Sequence, residues 1–410
     1  MRWIYNIVIF LYYSLIRVFA LFDKKAALWV RGRKSQDVPR LSGQKVIWMH
    51  CSSLGEYEQG KPLFDALRQR RPDYKYVVSF FSPSGYEKMK DKNIADYILY
   101  LPLDLPFRAK KFIDDINPHL SIFVKYDIWY NYLRILNERR SNVIFISVLF
   151  DKNHRIFKPY SRFLLEQLKK TTFIFTQDDM TLKLLAKRGF VNVLKAGDTR
   201  IDRVLAIAKS SFEDKKIEEF CRGDKKVLIC GSTWQKDIEK LSKIKDFLLE
   251  HYKIIIAPHE ISKRQLEFIQ KKFASVPLAF YSKGGDDLSG ARILIIDTIG
   301  ILSKIYRYGD VAYIGGGFGH GIHNTLEPAA YRLPVIFGPE YKKFNEAKIL
   351  VEKGAFFSFK KVSELKQIFI SLNFDKNYRR AQQEIEMFLK ENQGASEKIV
   401  SALEKKRILI

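Results

Sequence analysis

Only three cysteines occur in 410 residues, Cys51, Cys221 and Cys230. Three thiols make no disulfide framework, and no CxxC pair is present to hold a metal. A reducing compartment is the simplest reading. Negative charge is also scarce: 46 Asp and Glu stand against 71 Lys and Arg, a formal net charge of +25. That imbalance points to an acidic partner, whether nucleic acid, an anionic membrane or a phosphorylated substrate. Short repeats and low-complexity segments are absent, and so are long apolar runs after residue 22. With 47% hydrophobic and 29% charged residues, the chain is too apolar for disorder and too mixed for a polytopic membrane protein. Its length exceeds what one hydrophobic core organises, so two or three domains are expected.

The one long apolar run, Trp3 to Phe22, is interrupted by Asn6 and Arg17. It approaches the roughly 20 residues that span a bilayer. Trp3, Tyr5, Tyr12 and Tyr13 suit a membrane interface, and Arg17 can snorkel. Lys24, Lys25, Arg31, Arg33 and Lys34 follow, a flank that favours the cytoplasmic side. A cleaved signal peptide would carry a stronger basic start and an A-x-A site, and neither is present. A buried core helix is a further alternative. The reading adopted is a membrane-associating helix over 1–22, spanning or lying in the interface, that holds a soluble body at a membrane.

From residue 45 onward, short apolar runs alternate with stretches of helical periodicity. The first series is 45–51, 75–81, 120–124, 142–148, 172–176 and 191–196. The second is 226–231, 253–257, 276–280, 292–296, 310–314 and 334–337. Continuous apolar runs separated by helices predict buried parallel strands. The fold class is therefore α/β, with two doubly wound parallel sheets. A charged helical stretch near 203–224 separates the two series. The domains expected are 23–203 and 204–410, with the last helical stretch, about 375–406, able to pack back on the first domain. Ligands of open α/β sheets bind at the carboxyl ends of strands, so a cleft between the halves is the expected site.

The loops at those carboxyl ends carry the chemistry. His50-Cys51-Ser52-Ser53-Leu54-Gly55-Glu56 follows the first strand. Its small residues can bring backbone N–H groups near a ligand, and Glu56 can serve as a general base. The same residues also read as a helix start, with Ser52 or Ser53 as cap and Glu56 as capping-box partner. Local sequence does not choose between these. Glu58 reads as solvent-facing. Lys125-Tyr126-Asp127-Ile128-Trp129-Tyr130-Asn131 ends the 120–124 strand, with Trp129 equally core or ligand platform. Gly231-Ser232-Thr233-Trp234, Ala257-Pro258-His259-Glu260 and Asp297-Thr298-Ile299-Gly300 end three strands of the second half.

The longest of these segments runs Gly315-Gly316-Gly317-Phe318-Gly319-His320-Gly321-Ile322-His323-Asn324-Thr325-Leu326-Glu327-Pro328. It is neither a P-loop nor GxGxxG, which argues against ATP and dinucleotide cofactors. Its glycines permit close approach, and the helix it opens is expected to favour phosphate. Glu327 can accept hydrogen bonds from a ribose diol or simply complement the helix dipole. His320 and His323 are three apart, but no third metal ligand is evident.

Together these motifs resemble the 3-deoxy-D-manno-octulosonic acid (Kdo) transferases of lipopolysaccharide assembly, a GT-B glycosyltransferase family. The resemblance extends over nearly the whole chain. It rests on HCSSLGE (50–56), YDIWYN (126–131), GDTRID (197–202), GST (231–233), DTIG (297–300), GGGFGHGIHNTLEPAA (315–330) and PVIFGPEYKKFNE (334–346). It implies CMP-Kdo as donor and the phosphorylated lipid A precursor as acceptor, with inversion and without a metal or cofactor. It implies Glu56 as catalytic base, and Gly231, Ser232, His259, Gly316, Asn324 and Glu327 as nucleotide contacts. Ser53, Gly55, Lys125 and Asp127 would contact the acceptor or Kdo. The implied location is the cytoplasmic face of the bacterial inner membrane.

Three positions depart from the family pattern. Its Glu-Thr-Glu segment reads Lys125-Tyr126-Asp127 here, its Arg-His pair is reduced to His259, and Ile301 replaces an acid after Gly300. Lys263 or Arg264 could replace the missing Arg. The alternatives are another GT-B nucleotide-sugar transferase or epimerase, and a basic membrane or nucleic-acid binding protein. The basic residues are spread without an RNA motif or aromatic interleaving, which argues against nucleic acid.

Overall fold

A computed structural model describes residues 2–283, 288, 290–319 and 321–409. The chain divides into two compact units: Met1–Arg203 with Gln393–Ile410, and Val204–Asn392.

Unit one holds a seven-stranded sheet of β1 (Val46–Cys51), β2 (Lys75–Phe80), β3 (Tyr97–Tyr100), β4 (Leu120–Val124), β5 (Asn142–Val148), β6 (Phe173–Thr176) and β7 (Val193–Lys195). The order is β3-β2-β1-β4-β5-β6-β7, and every pairing is parallel. Helices cover both faces of a parallel sheet, so its central strands are apolar on both sides. β1 is buried at all six positions. Val46 and Trp48 enter one core with Phe123 and Phe145, while Ile47, Met49 and Cys51 enter the other with Ile122 and Ile144.

Unit two repeats the plan with β8 (Lys226–Thr233), β9 (Tyr252–Pro258), β10 (Leu278–Phe280), β11 (Ile293–Ile295), β12 (Val311–Ile314), β13 (Val335–Phe337) and β14 (Phe356–Ser358). The order is β10-β11-β9-β8-β12-β13-β14, again all parallel. Strand direction of growth reverses between β1 and β4 in unit one, and between β8 and β12 in unit two. These are the topological switch points where doubly wound sheets bind ligands.

Two strands went unanticipated, β3 and β14. Both are edge strands of three or four residues, too short for periodicity to register.

The N-terminal apolar run forms one helix and the turn that ends it. An 18-residue helix, Arg2–Phe19, ends in a turn, and a second, Lys24–Ser35, starts where Asp23 Oδ1 accepts the Ala26 N–H at 2.7 Å. The two are bent by 120°. No single described helix is long and apolar enough to cross a membrane, and only this bent pair meets the length and composition together. The first helix is tied to unit one by polar contacts. Tyr5 donates to Asp104 Oδ2 at 2.6 Å, and Asn131 Nδ2 donates to Asn6 Oδ1 at 2.9 Å. Its opposite face leaves Trp3, Ile7, Phe10, Leu15, Val18 and Phe19 exposed.

The stretch expected as one terminal helix is two, Asp375–Asn392 in unit two and Ala395–Lys405 in unit one. Gly394, at φ 80°, turns the chain between them. Asp202 then accepts the Gly394 and Ser396 N–H groups, each at 2.7 Å.

Candidate active site

In unit one, the loops after β1 and β4 flank the switch point and bring two carboxylates together. Glu56 is the third residue of the helix Leu54–Arg70. Its Oε2 accepts the Ser53 N–H at 2.8 Å and lies 3.3 Å from Ser53 Oγ. The capping-box geometry is therefore real, and it holds the carboxylate in a fixed orientation at the strand end. Asp127 Oδ2 accepts the neighbouring Ser52 N–H at 2.9 Å. Successive amides of one turn thus each hold one carboxylate. Burial raises the Glu56 carboxyl, while the Ser53 amide and the Lys125 ammonium oppose that rise. Burial, then the charge of Glu56, raises Asp127 above the usual carboxylate range. Burial also lowers Lys125, with Arg200 adding to the effect and Glu56 opposing it. Lys125 sits at φ 60°, a left-handed conformation uncommon for lysine. Gly55 is helical, and a side chain there would meet only Ser53 Oγ, at 3.9 Å. Its small size keeps the space beside the cap open. Glu58 points elsewhere, into an ion pair with Arg203 at 2.6 Å.

A buried relay behind the pair escaped sequence reading. Trp48 Nε1 donates to Ser79 Oγ at 2.8 Å, and Ser79 Oγ lies 2.9 Å from His50 Nδ1. His50 Nε2 lies 3.7 Å from Asp127 Oδ2. Burial pushes His50 down to about 3, so the ring is neutral. Trp129 packs on His50 with ring centroids 6.0 Å apart. Pairing between strands β1 and β2 joins these residues, so no local spacing announces them.

In unit two, β8 ends in an irregularity between Gly231 and Thr233, with Ser232 at φ 53°. Gly316, at φ 94°, uses its N–H to bond Asp237 Oδ2 at 3.0 Å. Asp237 also accepts the Tyr313 hydroxyl at 2.8 Å and the Trp234 N–H at 2.9 Å. This single carboxylate therefore pins the glycine loop to the loop after β8. Its signal was the Trp234-x-x-Asp237 capping spacing. Asn324 Nδ2 donates to Glu327 Oε1 at 3.0 Å, and Asn324 Oδ1 accepts the Leu326 N–H at 3.1 Å. The expected phosphate-favouring helix is only four residues, Leu326–Ala329. A single turn sums too few peptide dipoles to act as a helix N-terminus, so that part of the expectation is corrected. His259 stacks between Trp234 at 4.6 Å and His323 at 4.3 Å, and Trp234 Nε1 bonds His323 Nε2 at 2.9 Å. His320 lies outside the described residues.

Thr233, Thr298 and Thr325 each carry a buried hydroxyl without a hydrogen-bond partner among the described residues. Thr233 ends β8, and Thr298 and Thr325 lie in the segments after β11 and β12. Unpaired buried hydroxyls converging on one sheet edge suit a polar ligand. The described residues include no group of three His, Cys, Asp or Glu that could hold a metal ion.

Residues 27–203 match the family model described as 3-deoxy-D-manno-octulosonic-acid transferase (kdotransferase). The chain is 26% identical over 400 residues to a bifunctional glycosyltransferase/methyltransferase of Fusobacterium nucleatum, covering 93% of this chain and 61% of that protein. It therefore spans less than two thirds of that relative. It is 26% identical to the 3-deoxy-D-manno-octulosonic acid transferase of Aquifex aeolicus, covering 78% of this chain and 84% of the relative. Among solved structures, UDP-GlcNAc 2-epimerase from Neisseria meningitidis, bound to UDP-GlcNAc, superposes with a TM-score of 0.64 at 15% identity. That match covers 88% of this chain and 100% of the epimerase. At that identity the likeness concerns the fold alone.

Proposed function

We infer that the chain is a glycosyltransferase of the Kdo transferase kind, whose family model residues 27–203 match, and that it moves Kdo from CMP-Kdo to the phosphorylated lipid A precursor at an anionic membrane surface. The observation that carries the chemistry is Glu56, oriented by the Ser53 amide and raised by burial at the unit-one switch point. A base works best with a pKa near the operating pH, and burial moves Glu56 in that direction.

In the reaction, Glu56 takes the proton of the acceptor's primary hydroxyl. The freed oxygen attacks the anomeric carbon of Kdo from the side opposite CMP. The bond from that carbon to the phosphate oxygen breaks, and CMP leaves with the electron pair, inverting the centre. The nucleotide set on unit two comprises Gly231, Ser232, His259, Gly316, Asn324 and Glu327, with Glu327 on the ribose. Because Asp237 takes the Gly316 N–H, the reading gives Gly316 the role of close approach rather than of phosphate donor. Asp127, Lys125, Ser53 and Gly55 meet the acceptor or Kdo. Lys125, where the family has an acid, supplies a cation beside two carboxylates.

The membrane and acceptor parts of the reading are supported by the exposed apolar face of the first helix. Beside it, Arg33, Lys34 and Arg108 line a 260 Å³ pocket with Tyr13. The proposed location is the cytoplasmic face of the inner membrane.

The test is incubation of the purified protein with CMP-Kdo and the lipid A precursor, followed by product masses. Glu56→Gln should keep CMP affinity and lower turnover by roughly 10²–10⁴-fold, the range for a lost general base. Retained turnover would remove Glu56 from the mechanism. A preference for UDP over CMP in calorimetry would instead favour an epimerase or a UDP-sugar transferase.

A further inference from the structure

The second unit holds a 360 Å³ pocket that the nucleotide set does not use up. Trp234 and Phe318 supply its aromatic walls, and Lys236, Glu260, Arg264 and Gln265 its polar groups. Gln265 is 7% exposed, and its amide nitrogen has no hydrogen-bond partner. A buried amide left unpaired is costly unless a ligand completes it. Arg264 is exposed and makes no ion pair or hydrogen bond among the described residues. Lys263, the other candidate for the family's missing Arg, is 91% exposed, lies 3.9 Å from Glu267 and does not line the pocket.

Position and size restrict the occupant. Gly316 belongs both to the pocket lining and to the nucleotide set, and the Trp234 ring that walls the pocket also stacks on His259. The pocket therefore adjoins the nucleotide. Small-ligand pockets begin at about 300 Å³, so this one has room for a monosaccharide. Two cations, Lys236 and Arg264, and two acids, Asp237 and Glu260, line the pocket. Asp237 is taken up by the Trp234 and Gly316 amides and the Tyr313 hydroxyl, and Lys236 bonds the Phe318 carbonyl. That leaves the Arg264 guanidinium for an anion, while Glu260, Gln265 and the aromatic faces fit hydroxyls and the C–H face of a pyranose.

We propose that this pocket seats the carboxylate-bearing sugar of the donor, with Arg264 pairing its carboxylate and the Gln265 amide bonding a ring hydroxyl. The inference rests on the CMP-Kdo reading and adds to it the residues that select a sugar acid.

The test measures affinities of the full-length protein for CMP and for freshly generated CMP-Kdo, in wild type, Arg264→Gln and Gln265→Met. Wild type should bind CMP-Kdo more tightly than CMP. Each variant should leave CMP affinity unchanged within about twofold and weaken CMP-Kdo by about tenfold, the scale of one lost charge-assisted or buried hydrogen bond. Arg264 is exposed, so its variant does not depend on repacking the core. Equal weakening of CMP and CMP-Kdo would make the pocket a base or phosphate site and overturn the proposal. Variants that keep the full preference for CMP-Kdo overturn it while leaving the donor reading intact. Wild-type protein that binds neither compound overturns both.

Discussion

Glu56 bonds a backbone amide and faces a second carboxylate, and both facts bear on how it titrates. Burial raises its pKa, and the Lys125 ammonium is one of the influences holding that rise in check. Lys125→Gln removes the positive charge, so Glu56 should hold its proton to higher pH. A base works only when deprotonated, so the acidic limb of the kcat/KM profile should move to higher pH in this variant. An unmoved limb would mean that the limb reports another group. His50 does not complicate the profile, because burial keeps it neutral down to about pH 3. At this scale the sequence singled out Glu56 and Asp127 as candidates, and the structure brings both to one turn. The sequence could not show that amides of Ser52 and Ser53 hold one carboxylate each, or that Ser232 and Lys125 adopt positive φ. Strain of that kind is maintained by surrounding contacts and leaves no mark in local composition.

Among the elements, the strands of both sheets were legible because burial on two faces demands uninterrupted apolar runs. The helices at the two termini were less so. The apolar run 3–22 has the composition of one membrane helix, yet its helix stops at Phe19, and beyond it Asp23 caps a new helix and the chain bends. At the other end, Gly394 breaks a run of helical periodicity, and the final helix joins unit one through Asp202. GDTRID thus has a structural part: Asp202 receives the turn that starts the last helix. Asp202→Ala leaves two backbone N–H groups without their acceptor and should cost about 1–3 kcal/mol. Urea denaturation of the full chain checks this, with loss of the Arg70 contacts to Glu397 and Glu404 expected alongside. Unchanged stability would show that water replaces Asp202 at no cost.

For the whole molecule, the positive charge is unevenly divided. Unit one carries 40 Lys and Arg against 22 Asp and Glu, an excess of 18, whereas unit two carries 31 against 24, an excess of 7. The unit with the exposed apolar helix is therefore the more basic one. That pairing suits an anionic membrane, where apolar burial and charge attraction add. Binding to vesicles containing anionic lipid should weaken as ionic strength rises, because screening shortens the reach of the charge. Replacing Trp3, Leu15 and Phe19 by Ser should weaken it further at any salt concentration. Binding indifferent to both changes would exclude this surface as the membrane contact.

Composition and periodicity by themselves determined an α/β chain of two parallel sheets. Motif order determined which strand ends carry the candidate residues and which family they resemble. These follow from sequence because apolar runs and loop residues are local properties. Only the tertiary structure decided that the glycine loop opens a four-residue helix and that Asp237 holds Gly316. It also joined Trp48, Ser79 and His50 behind Asp127, and it placed Arg264 rather than Lys263 in the pocket beside Gln265. Each of these depends on contacts between segments far apart in the chain, whose geometry is set by how strands pair and helices pack, and no window of sequence contains that information.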